Sequence, residues 1–511
     1  MTIHNSLALW RPDLAAVALD PTRQIAPLHF NGAWDVEPYE VQSRGIAWLY
    51  AVPRSILGDV TGLGKTIHII GSIVALQVTG ELAGRKALVV VEPGAVEQIA
   101  GEFATKAPGL RARHVTPKMT RQNRRTLYSR DCDVIIMGYP TMWRDAALLT
   151  QQRLAIVWFD ESTAFANDDT QTAKGARTVT ANVARIHCAT ATPVMMGLLD
   201  LYSPLRVLGL AGITGTVFGN LWEYQHRYLL ARHQSVQRAG AVVAQKTTWV
   251  ANPATLPEFR AKLSPYYLRR NDGTADMPEV LPPEDIWLDM TPAQTTRYRA
   301  IQNGAEAVDS RFIRLLQAAT TLANLGDEDH SAKFDWFMDA LERRYVDDDG
   351  NPEKVVVFLA NRAAVEALRR RLASAGWGAA LITGDHRNER EAERQRFWND
   401  PNCRVAIGTK AIEKSLNLQV ARWAVMLDLL FNPSRIEQFL GRVKRTNSAF
   451  SHVHLDRVMC RGTAEEGLLH VVRGRQALAD YVHQDVSDIF KTMTAEDPAS
   501  AQFVLNFGSA S

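Results

Sequence analysis

The chain has 511 residues, of which 46% are apolar and 22% charged, and its formal net charge at pH 7 is only +3. This composition is typical of a globular protein of two to four domains, and it excludes a disordered chain or one that is basic throughout. No apolar run reaches the ~18 residues of a membrane span, and the N-terminus lacks the basic-then-apolar order of a secretory signal. The four scattered cysteines are predicted to be buried thiols of a reducing compartment, neither zinc ligands nor disulfides.

Residues 1–35 show little periodicity and are predicted to pack as an irregular arm. Beyond them, apolar runs alternate with helical patterns, which predicts a parallel sheet covered on both faces. A first lobe is expected over residues 36–205. Its predicted strands are Leu88–Val91, Val134–Met137, Ile156–Phe159 and Ile186–Ala189.

A glycine-rich turn in this lobe leads into a helical pattern that opens at Lys65. Gly62 and Gly64 let backbone N–H groups turn toward an anion, and the helix N-terminus adds partial positive charge. Lys65 can reach the β- and γ-phosphates of a nucleotide, and the hydroxyl of Thr66 can ligate Mg²⁺. The turn therefore predicts a phosphate-binding loop.

The match to G-x-x-x-x-G-K-[ST] is imperfect, because Asp59 stands where the first glycine belongs, and an ordinary helix-capping turn is the alternative. Two carboxylates further along the chain favour the nucleotide site. Asp160 and Glu161 end a predicted strand, where a second Mg²⁺ contact and a water-activating base are required. The loop and the acidic pair together predict a site that hydrolyses ATP with Mg²⁺.

Residues 206–285 are predicted to form a mostly helical protrusion and linker between the lobes. Six prolines between Asn252 and Pro283 indicate an extended crossing segment. Helical patterns also cover Phe312–Ala323 and Phe334–Leu341, at the start of a second lobe.

Two stretches without any carboxylate, Lys106–Arg130 and Tyr224–Pro257, are locally basic. Such stretches suit phosphate contacts that displace counterions, and the alternative is a solvated basic helix with no partner. In the second stretch, the Tyr and Trp residues can equally belong to the core. The candidate nucleic-acid contacts are Arg121, Arg124, Arg125, Arg227, Arg232, Arg238 and Lys246.

The second α/β lobe is expected over residues 286–475, followed by a weakly patterned tail over residues 476–511. Its predicted strands are Val355–Leu359, Ala380–Ile382, Val405–Ile407, Ala424–Leu427 and Val453–Leu455. Near its end, Arg442 and Arg445 are three residues apart, on one face of a helix. Two guanidiniums directed at a triphosphate would stabilise charge on the γ-phosphate and make hydrolysis depend on lobe closure. A solvated arginine face is the alternative.

Taken in order, these motifs resemble a Swi/Snf-type ATPase of helicase superfamily two over about residues 36–475. The resembling segments are Gln42–Leu49, Val89–Pro93, Asp160–Thr163, Thr190–Pro193, Leu268–Arg270, Ser331–Lys333, Gly408–Ala411 and Gln438–Arg445. The resemblance implies an α/β fold of two RecA-like lobes.

The resemblance also assigns roles to single residues. It implies that Gln42 reads the adenine, and that Gln438 acts with the two arginines of its motif. Thr190, Thr192 and Thr409 are implied to couple hydrolysis to nucleic acid.

The chain departs from the family's pattern at several positions. Thr163 replaces the last residue of the DEAH-like box, Ala191 replaces the glycine of T-G-T-P, and Ile412–Ser415 replaces a glycine-rich stretch. These changes alter residues that would couple hydrolysis to nucleic acid, and they leave the residues that would hydrolyse ATP intact.

The function expected from the resemblance is a DNA-stimulated ATPase that moves along double-stranded DNA. Single-stranded DNA or RNA are alternative tracks, and a protein partner is not identified. One rival is a strand-separating or branch-remodelling helicase, whose pin can be a short hairpin. A rival of another class is a DNA-binding scaffold with a decayed ATPase. The compact size indicates a cytoplasmic or nucleoid protein of a bacterial or phage-infected cell.

Overall fold

The computed structural model describes residues 34–483 except 61–62, 192–196, 239–240, 271–277, 305–307, 348–349, 385–388, 411, 413–417, 431 and 445–447. The predicted N-terminal arm, apart from its last two residues, and the tail beyond His483 lie outside these residues. The chain divides after Thr274 into two compact units, and the second extends to Gln476.

The first unit contains a parallel sheet of seven strands. They are β1 (Arg54–Leu57), β2 (Lys86–Val91), β3 (Ala112–His114), β4 (Val134–Gly138), β5 (Leu154–Asp160), β6 (Arg185–Ala189) and β9 (Tyr267–Leu268). Their spatial order is β3-β4-β2-β5-β6-β1-β9, and all neighbours are parallel. The four strands predicted for this lobe are confirmed, because each is a nearly uninterrupted apolar run.

Helices cover both faces of this sheet. They are α1 (Glu40–Ala51), α2 (Lys65–Val78), α3 (Val96–Lys106), α4 (Arg121–Ser129), α5 (Tyr139–Arg144), α6 (Ala146–Leu149), α7 (Gln171–Thr180) and α8 (Leu199–Val207). Successive side chains of a strand pack on opposite faces of the sheet. In β2, Leu88 and Val90 belong to the apolar cluster on one face, and Val89 and Val91 belong to the cluster on the other. Both faces of the sheet are therefore buried under helices.

Residues 221–263 of the first unit add a hairpin between two helices. The elements are α9 (Leu221–Tyr228), β7 (Leu229–Arg238), β8 (Ala241–Ala251) and α10 (Leu256–Leu263). The antiparallel strands β7 and β8 pair with each other in a sheet of their own. The sequence pattern did not predict this hairpin.

The prediction of an extended crossing segment between Asn252 and Pro283 was wrong in its first part. Pro257 lies in the first turn of α10, where the missing N–H of proline has no helical partner to lose. Extended backbone is present at β10 (Glu279–Val280).

The second unit also contains a parallel sheet. Its strands are β10, β11 (Glu284–Leu288), β12 (Val355–Phe358), β13 (Gly378–Ile382), β14 (Cys403–Gly408), β15 (Trp423–Met426) and β16 (His452–Cys460). The order is β10-β16-β15-β12-β14-β13, and β11 also pairs with β16. The predicted strands of this lobe are confirmed.

Helices cover this second sheet as well. They are α11 (Pro292–Gln302), α12 (Val308–Thr320), α13 (Ala332–Arg343), α14 (Arg362–Ser374), α15 (Arg390–Asn399), α16 (Pro433–Val443) and α17 (Ala464–His483). The two predicted helical patterns at the start of this lobe correspond to α12 and α13. The predicted fold of two parallel-sheet lobes is thus confirmed.

Two further expectations concern the whole chain. All four cysteines are free and buried, as predicted. Within the described residues, no helix combines the length and the apolarity that a bilayer crossing requires.

Candidate nucleotide site

The candidate nucleotide site lies at the carboxyl edge of the first sheet, where parallel strands deliver their following loops to one place. The loop after β1 leads into α2 through Gly64, whose φ is +80°. This left-handed conformation favours glycine. A Cβ atom there would also lie 2.5 Å from Nε2 of Gln42, so a larger residue would have to displace that side chain as well.

Gln42 of α1 is bound to this loop. Its Nε2 donates to the carbonyl of Leu63 at 3.2 Å, and its Oε1 accepts from the backbone N–H of Tyr39 at 3.1 Å. The side chain that the resemblance assigns to adenine is therefore fixed next to the phosphate loop. Gly62 falls outside the described residues.

Lys65 and Thr66 begin α2, as predicted. Nζ of Lys65 donates to the carbonyls of Asp59 at 3.0 Å and Val60 at 3.4 Å. Burial lowers the pKa of Lys65, and the carboxylates of Glu161 and Asp160 oppose that shift. The lysine thus lies in the same electrostatic cluster as the acidic pair.

Asp160 and Glu161 stand at and just after the end of β5. Tyr139 O–H donates to the backbone carbonyl of Asp160 at 2.7 Å, which anchors the strand end. Burial, followed by the neighbouring charge of Glu161, raises the pKa of Asp160 to about 6. Two crowded carboxylates with this shift are a site that a cation would stabilise.

Glu161 is held by two threonines. Its Oε1 accepts from the hydroxyl of Thr163 at 3.0 Å and from that of Thr190 at 3.1 Å. Thr163 is the departure from the DEAH-like box, and here it orients the acid. Thr190 follows β6, so a predicted coupling residue touches the predicted base directly. Thr192 lies outside the described residues.

The donor set fits Mg²⁺ bound together with a nucleotide. Mg²⁺ prefers oxygen ligands, commonly one or two carboxylates completed by substrate phosphates and water. Asp160 and the hydroxyl of Thr66 supply such oxygens at the sheet edge. Among the described residues no group of three or more His, Cys, Asp or Glu could form an all-protein cage.

Sequence reasoning missed the partner of Asp59. This buried aspartate accepts hydrogen bonds from the backbone N and the Nε of Arg270, at 3.0 and 3.1 Å. The residue that departs from the glycine motif is therefore the acidic half of an ion pair. Asp59 in place of glycine was the available signal, but the partner lies 211 residues away.

Of the predicted residues of the second unit, Thr409 lies at the carboxyl edge of the sheet. Thr409 follows β14, and its N–H donates to the carbonyl of Ile382 at 3.3 Å. Gln438 and Arg442 lie one turn apart on α16, both partly exposed. Arg445 falls outside the described residues.

The structure separates the basic candidates of residues 106–130 into two groups. Nε and Nη2 of Arg124 donate to the carboxylate of the buried Asp145, at 2.6 and 2.9 Å, so its guanidinium is already used within the fold. Arg121 and Arg125 are exposed on α4, one turn apart.

The second basic stretch is also partly neutralised. Arg227 pairs with Glu258 at 2.9 Å, because the fold returns a carboxylate that the linear stretch lacks. Arg232 is exposed on β7, and the side chains of Arg238 and Lys246 lie outside the described residues. Tyr224 and Tyr228 are buried, which confirms the core alternative for these two aromatics.

Two family models match this chain. Residues 41–342 match the SNF2-related domain, and residues 332–447 match the helicase conserved C-terminal domain. An uncharacterized ATP-dependent helicase of Mycoplasma pneumoniae is 20% identical over 478 residues, which cover 89% of this chain and 43% of the relative. The putative ATP-dependent helicase/translocase YwqA of Bacillus subtilis is 22% identical over 512 residues, covering 93% and 51%.

A SWI/SNF-related regulator of chromatin, the subfamily A-like protein 1 of Drosophila melanogaster, is 21% identical over 407 residues, covering 76% of this chain and 49% of the relative. Among solved structures, the Sulfolobus solfataricus SWI2/SNF2 ATPase core in complex with dsDNA is 18% identical with a TM-score of 0.42. That alignment covers 95% of this chain and 100% of the other. The chain spans about half the length of the curated relatives it matches. Because the SNF2-related match alone covers more than half of the sequence, the chain belongs to the SNF2-related family and continues into a helicase conserved C-terminal domain.

Proposed function

We propose that this protein hydrolyses ATP and uses the energy to move along double-stranded DNA. The observation that carries the proposal is the hydrogen bond between Glu161 and Thr190. It ties the carboxylate that would activate water to the strand-end segment through which the family couples hydrolysis to nucleic acid. A motion of that segment would reorient the base.

Each residue then has a defined part in hydrolysis. Lys65 and the loop N–H groups bind phosphate, and Glu161 accepts a proton from the attacking water. Mg²⁺ would be held by Thr66 and Asp160 and would neutralise charge on the phosphates. Gln438, Arg442 and Arg445 are proposed to act from the second unit on the developing charge.

The test is ATP turnover by the full chain with and without duplex DNA. We expect turnover to rise with DNA, Lys65→Ala to weaken nucleotide binding, and Glu161→Gln to bind nucleotide without turning it over. Near-normal turnover by Glu161→Gln would remove the base assignment. A wild-type protein that binds DNA but has no turnover would favour the scaffold with a decayed ATPase.

The track on DNA is proposed to include Arg232 and Arg238 of the hairpin. Arg232→Glu with Arg238→Glu should weaken binding to all sequences alike and flatten the slope of log affinity against log salt by about one per lost phosphate contact. Basal turnover should not change. Arg121→Glu with Arg125→Glu is the matched pair on α4, and an effect confined to that pair would move the track there.

A second candidate function is strand separation, and the hairpin is the observation that favours it. The strands β7 and β8 form a two-stranded sheet of their own, as a separating pin would. Beside their root, Trp222 is 65% exposed and stacks on His226 with ring centroids 4.3 Å apart. An exposed aromatic of this kind can stack on an unpaired base.

Removing residues 233–247 separates the two candidates. Arg232 and Thr248 face each other in the hairpin, so an Asn-Gly turn can join them. If the protein separates strands with this pin, the shortened protein should lose duplex unwinding. Because the deletion also removes Arg238, turnover is measured at saturating DNA, where its stimulation should be kept. If the wild type separates no strands, translocation without unwinding is supported.

A further inference from the structure

Two consecutive arginines follow the edge strand β9 and contact the phosphate loop. The strand itself lies beside β1, and the N–H of Gly58 donates to the carbonyl of Leu268 at 2.7 Å. Nη1 of Arg269 donates to the carbonyls of Gly58 at 3.3 Å and Ala191 at 2.6 Å. Leu268 and Arg269 thus already join the segment after β9 to the phosphate loop, independently of Arg270.

Arg270 contacts three separate elements at once. Its backbone N and Nε bind Oδ1 of Asp59, and Nη2 binds Oδ2 of the same carboxylate. Its Nη1 donates to the carbonyl of Val41 in α1, and its Nη2 lies 2.8 Å from Nε2 of His68 in α2. The side chain of Asp59 is completely buried and that of Arg270 is 14% exposed.

The tautomer of His68 follows from its contacts. Its Nδ1 lies 3.1 Å from the carbonyl oxygen of Gly64, which can only accept, so Nδ1 carries the proton. Nε2 is then an acceptor, and the Nη2 of Arg270 donates to it. Through this imidazole Arg270 is connected to Gly64 at the end of the loop, as it is to Asp59 at the beginning.

Asp59 also connects Arg270 to the phosphate-binding lysine. The backbone carbonyl of Asp59 accepts from Nζ of Lys65 at 3.0 Å, while its side chain is bound by Arg270. Without Arg270, a buried carboxylate would stand unpaired beside a loop that must accept a triphosphate. Such a charge would repel the phosphates and force the loop to rearrange.

We propose that Arg270 is a positioning residue of the nucleotide site, which holds both ends of the phosphate loop and thereby sets the place of Lys65. Its guanidinium neutralises Asp59 and spans Val41, Asp59 and His68 at fixed distances. Lysine has one charged point and cannot contact all three. The proposal rests on the proposed function only in that the loop binds a nucleotide.

The experiment measures the dissociation constant of a fluorescent N-methylanthraniloyl-ADP on the full chain. Arg270→Gln and Asp59→Asn should each raise the dissociation constant about tenfold. The dissociation constant of the double variant should not exceed the larger of the two single-variant values, because both changes break the same ion pair. Arg270→Lys keeps the charge without the fork and should fall between wild type and Arg270→Gln. If Arg270→Gln fails to fold, the affinity of Arg270→Lys tests the proposal in its place.

A second ion pair of the same unit, with a buried arginine and a partly exposed carboxylate, is the control. Arg185 donates to Glu81 at 3.0 Å and to the carbonyl of Tyr50 at 2.7 Å, so it too joins a carboxylate to a backbone oxygen. Glu81 lies beyond the C-terminus of α2, and the loop lies at its N-terminus, about 20 Å away for a helix of this length. Arg185→Gln should lower stability to urea and leave the dissociation constant unchanged.

Three results would overturn the proposal. Folded Arg270→Gln and Arg270→Lys proteins that bind with wild-type affinity would show that the loop does not need the arginine. Equal weakening of nucleotide binding by Arg185→Gln would show that loss of a buried arginine elsewhere in the unit has the same effect. Failure of the wild type to bind the probe would overturn the nucleotide site itself, and with it the proposed function.

Discussion

Glu161 is the one non-glycine residue with positive φ among the described residues, at φ 55° and ψ 57°. This left-handed conformation costs an L-residue on the order of 1–2 kcal/mol. The strain is stored at the predicted base, where the carboxylate must point away from β5 toward Thr163 and Thr190. Function and local stability therefore oppose each other at this position.

The strain at Glu161 predicts that two inactive variants differ in their free energy of unfolding. Glu161→Ala and Glu161→Gly both remove the carboxylate and should abolish turnover. Only glycine adopts positive φ without strain, so Glu161→Gly should unfold with a free energy about 1 kcal/mol higher than Glu161→Ala. Urea unfolding of both proteins measures the difference, and an alanine variant that is equally stable or more stable would contradict it.

His187 predicts the response of the first unit to acid. The ring is buried on β6, with Nδ1 2.8 Å from Oγ of Ser55 and its face against Trp158. Burial, and then the charge of Arg185, lowers its pKa from 6.5 to about 3. The unfolded chain therefore takes up a proton first as the pH falls below 6.5, and stability is lost over the interval down to about pH 3.

Between pH 7 and pH 5 this one group should cost about 2 kcal/mol of stability. Urea unfolding of the wild type and of His187→Gln at both pH values tests the expectation. The variant starts less stable but should lose about 2 kcal/mol less over the interval. Parallel losses in the two proteins would show that other groups carry the acid response.

At the scale of elements, Lys333 joins the parts of the second unit. Nζ of this fully buried lysine donates to Oε1 of Glu465 at 2.6 Å and to the carbonyl of Leu427 at 2.7 Å. It therefore links α13 to α17 and to the end of β15. Burial lowers its pKa, but the Glu465 carboxylate outweighs this and raises the pKa above its usual value, so the lysine is charged.

Breaking this pair should destabilise the second unit strongly. Lys333→Met leaves the buried Glu465 without a charged partner, since among the described residues only the N–H of Cys460 still donates to its carboxylate, at 2.9 Å. The change should cost about 3–5 kcal/mol, much of which Lys333→Met with Glu465→Gln should recover. The exposed pair Arg297–Asp327 is the control, and Arg297→Gln should cost less than about 1 kcal/mol. Similar costs for the buried and the exposed pair would contradict the argument.

The sequence predicted those elements whose signals are local. Central strands such as β4 and β5 are uninterrupted apolar runs, and the loop before Lys65 is a short motif. Strand β7 instead mixes Arg232, His233 and Gln234 with few apolar residues, and β9 has only two residues. Neither leaves a periodic signal.

The site shows the same division. Lys65, Thr66, Asp160 and Glu161 were predicted because each lies in a motif a few residues long. The pairing of Asp59 with Arg270 needed the fold, because no local pattern relates residues so far apart in the sequence. The same holds for Glu258 beside Arg227.

At the scale of the whole molecule, hydrolysis is expected to need both units. A fragment of residues 1–285 keeps Lys65, Glu161 and Arg270 but lacks Arg442 and Arg445. It should bind ATP weakly and fail to hydrolyse it, and Arg445→Ala in the full chain should lower the maximal rate about 10³-fold or more. Full turnover by the fragment would show that the second unit is not required.

The position of β9 also has a consequence for folding during synthesis on the ribosome. On the ribosome, the outer edge of β1 stays without a neighbour until Leu268 has left the exit tunnel, and Asp59 waits for an arginine 211 residues later. At about 5–20 residues per second, that delay is roughly 10–40 s. During this time a nascent chain exposes a bare strand edge beside a carboxylate that cannot yet be buried with its partner. Chains stalled before Tyr267 should therefore be the ones that chaperones hold and proteases cut.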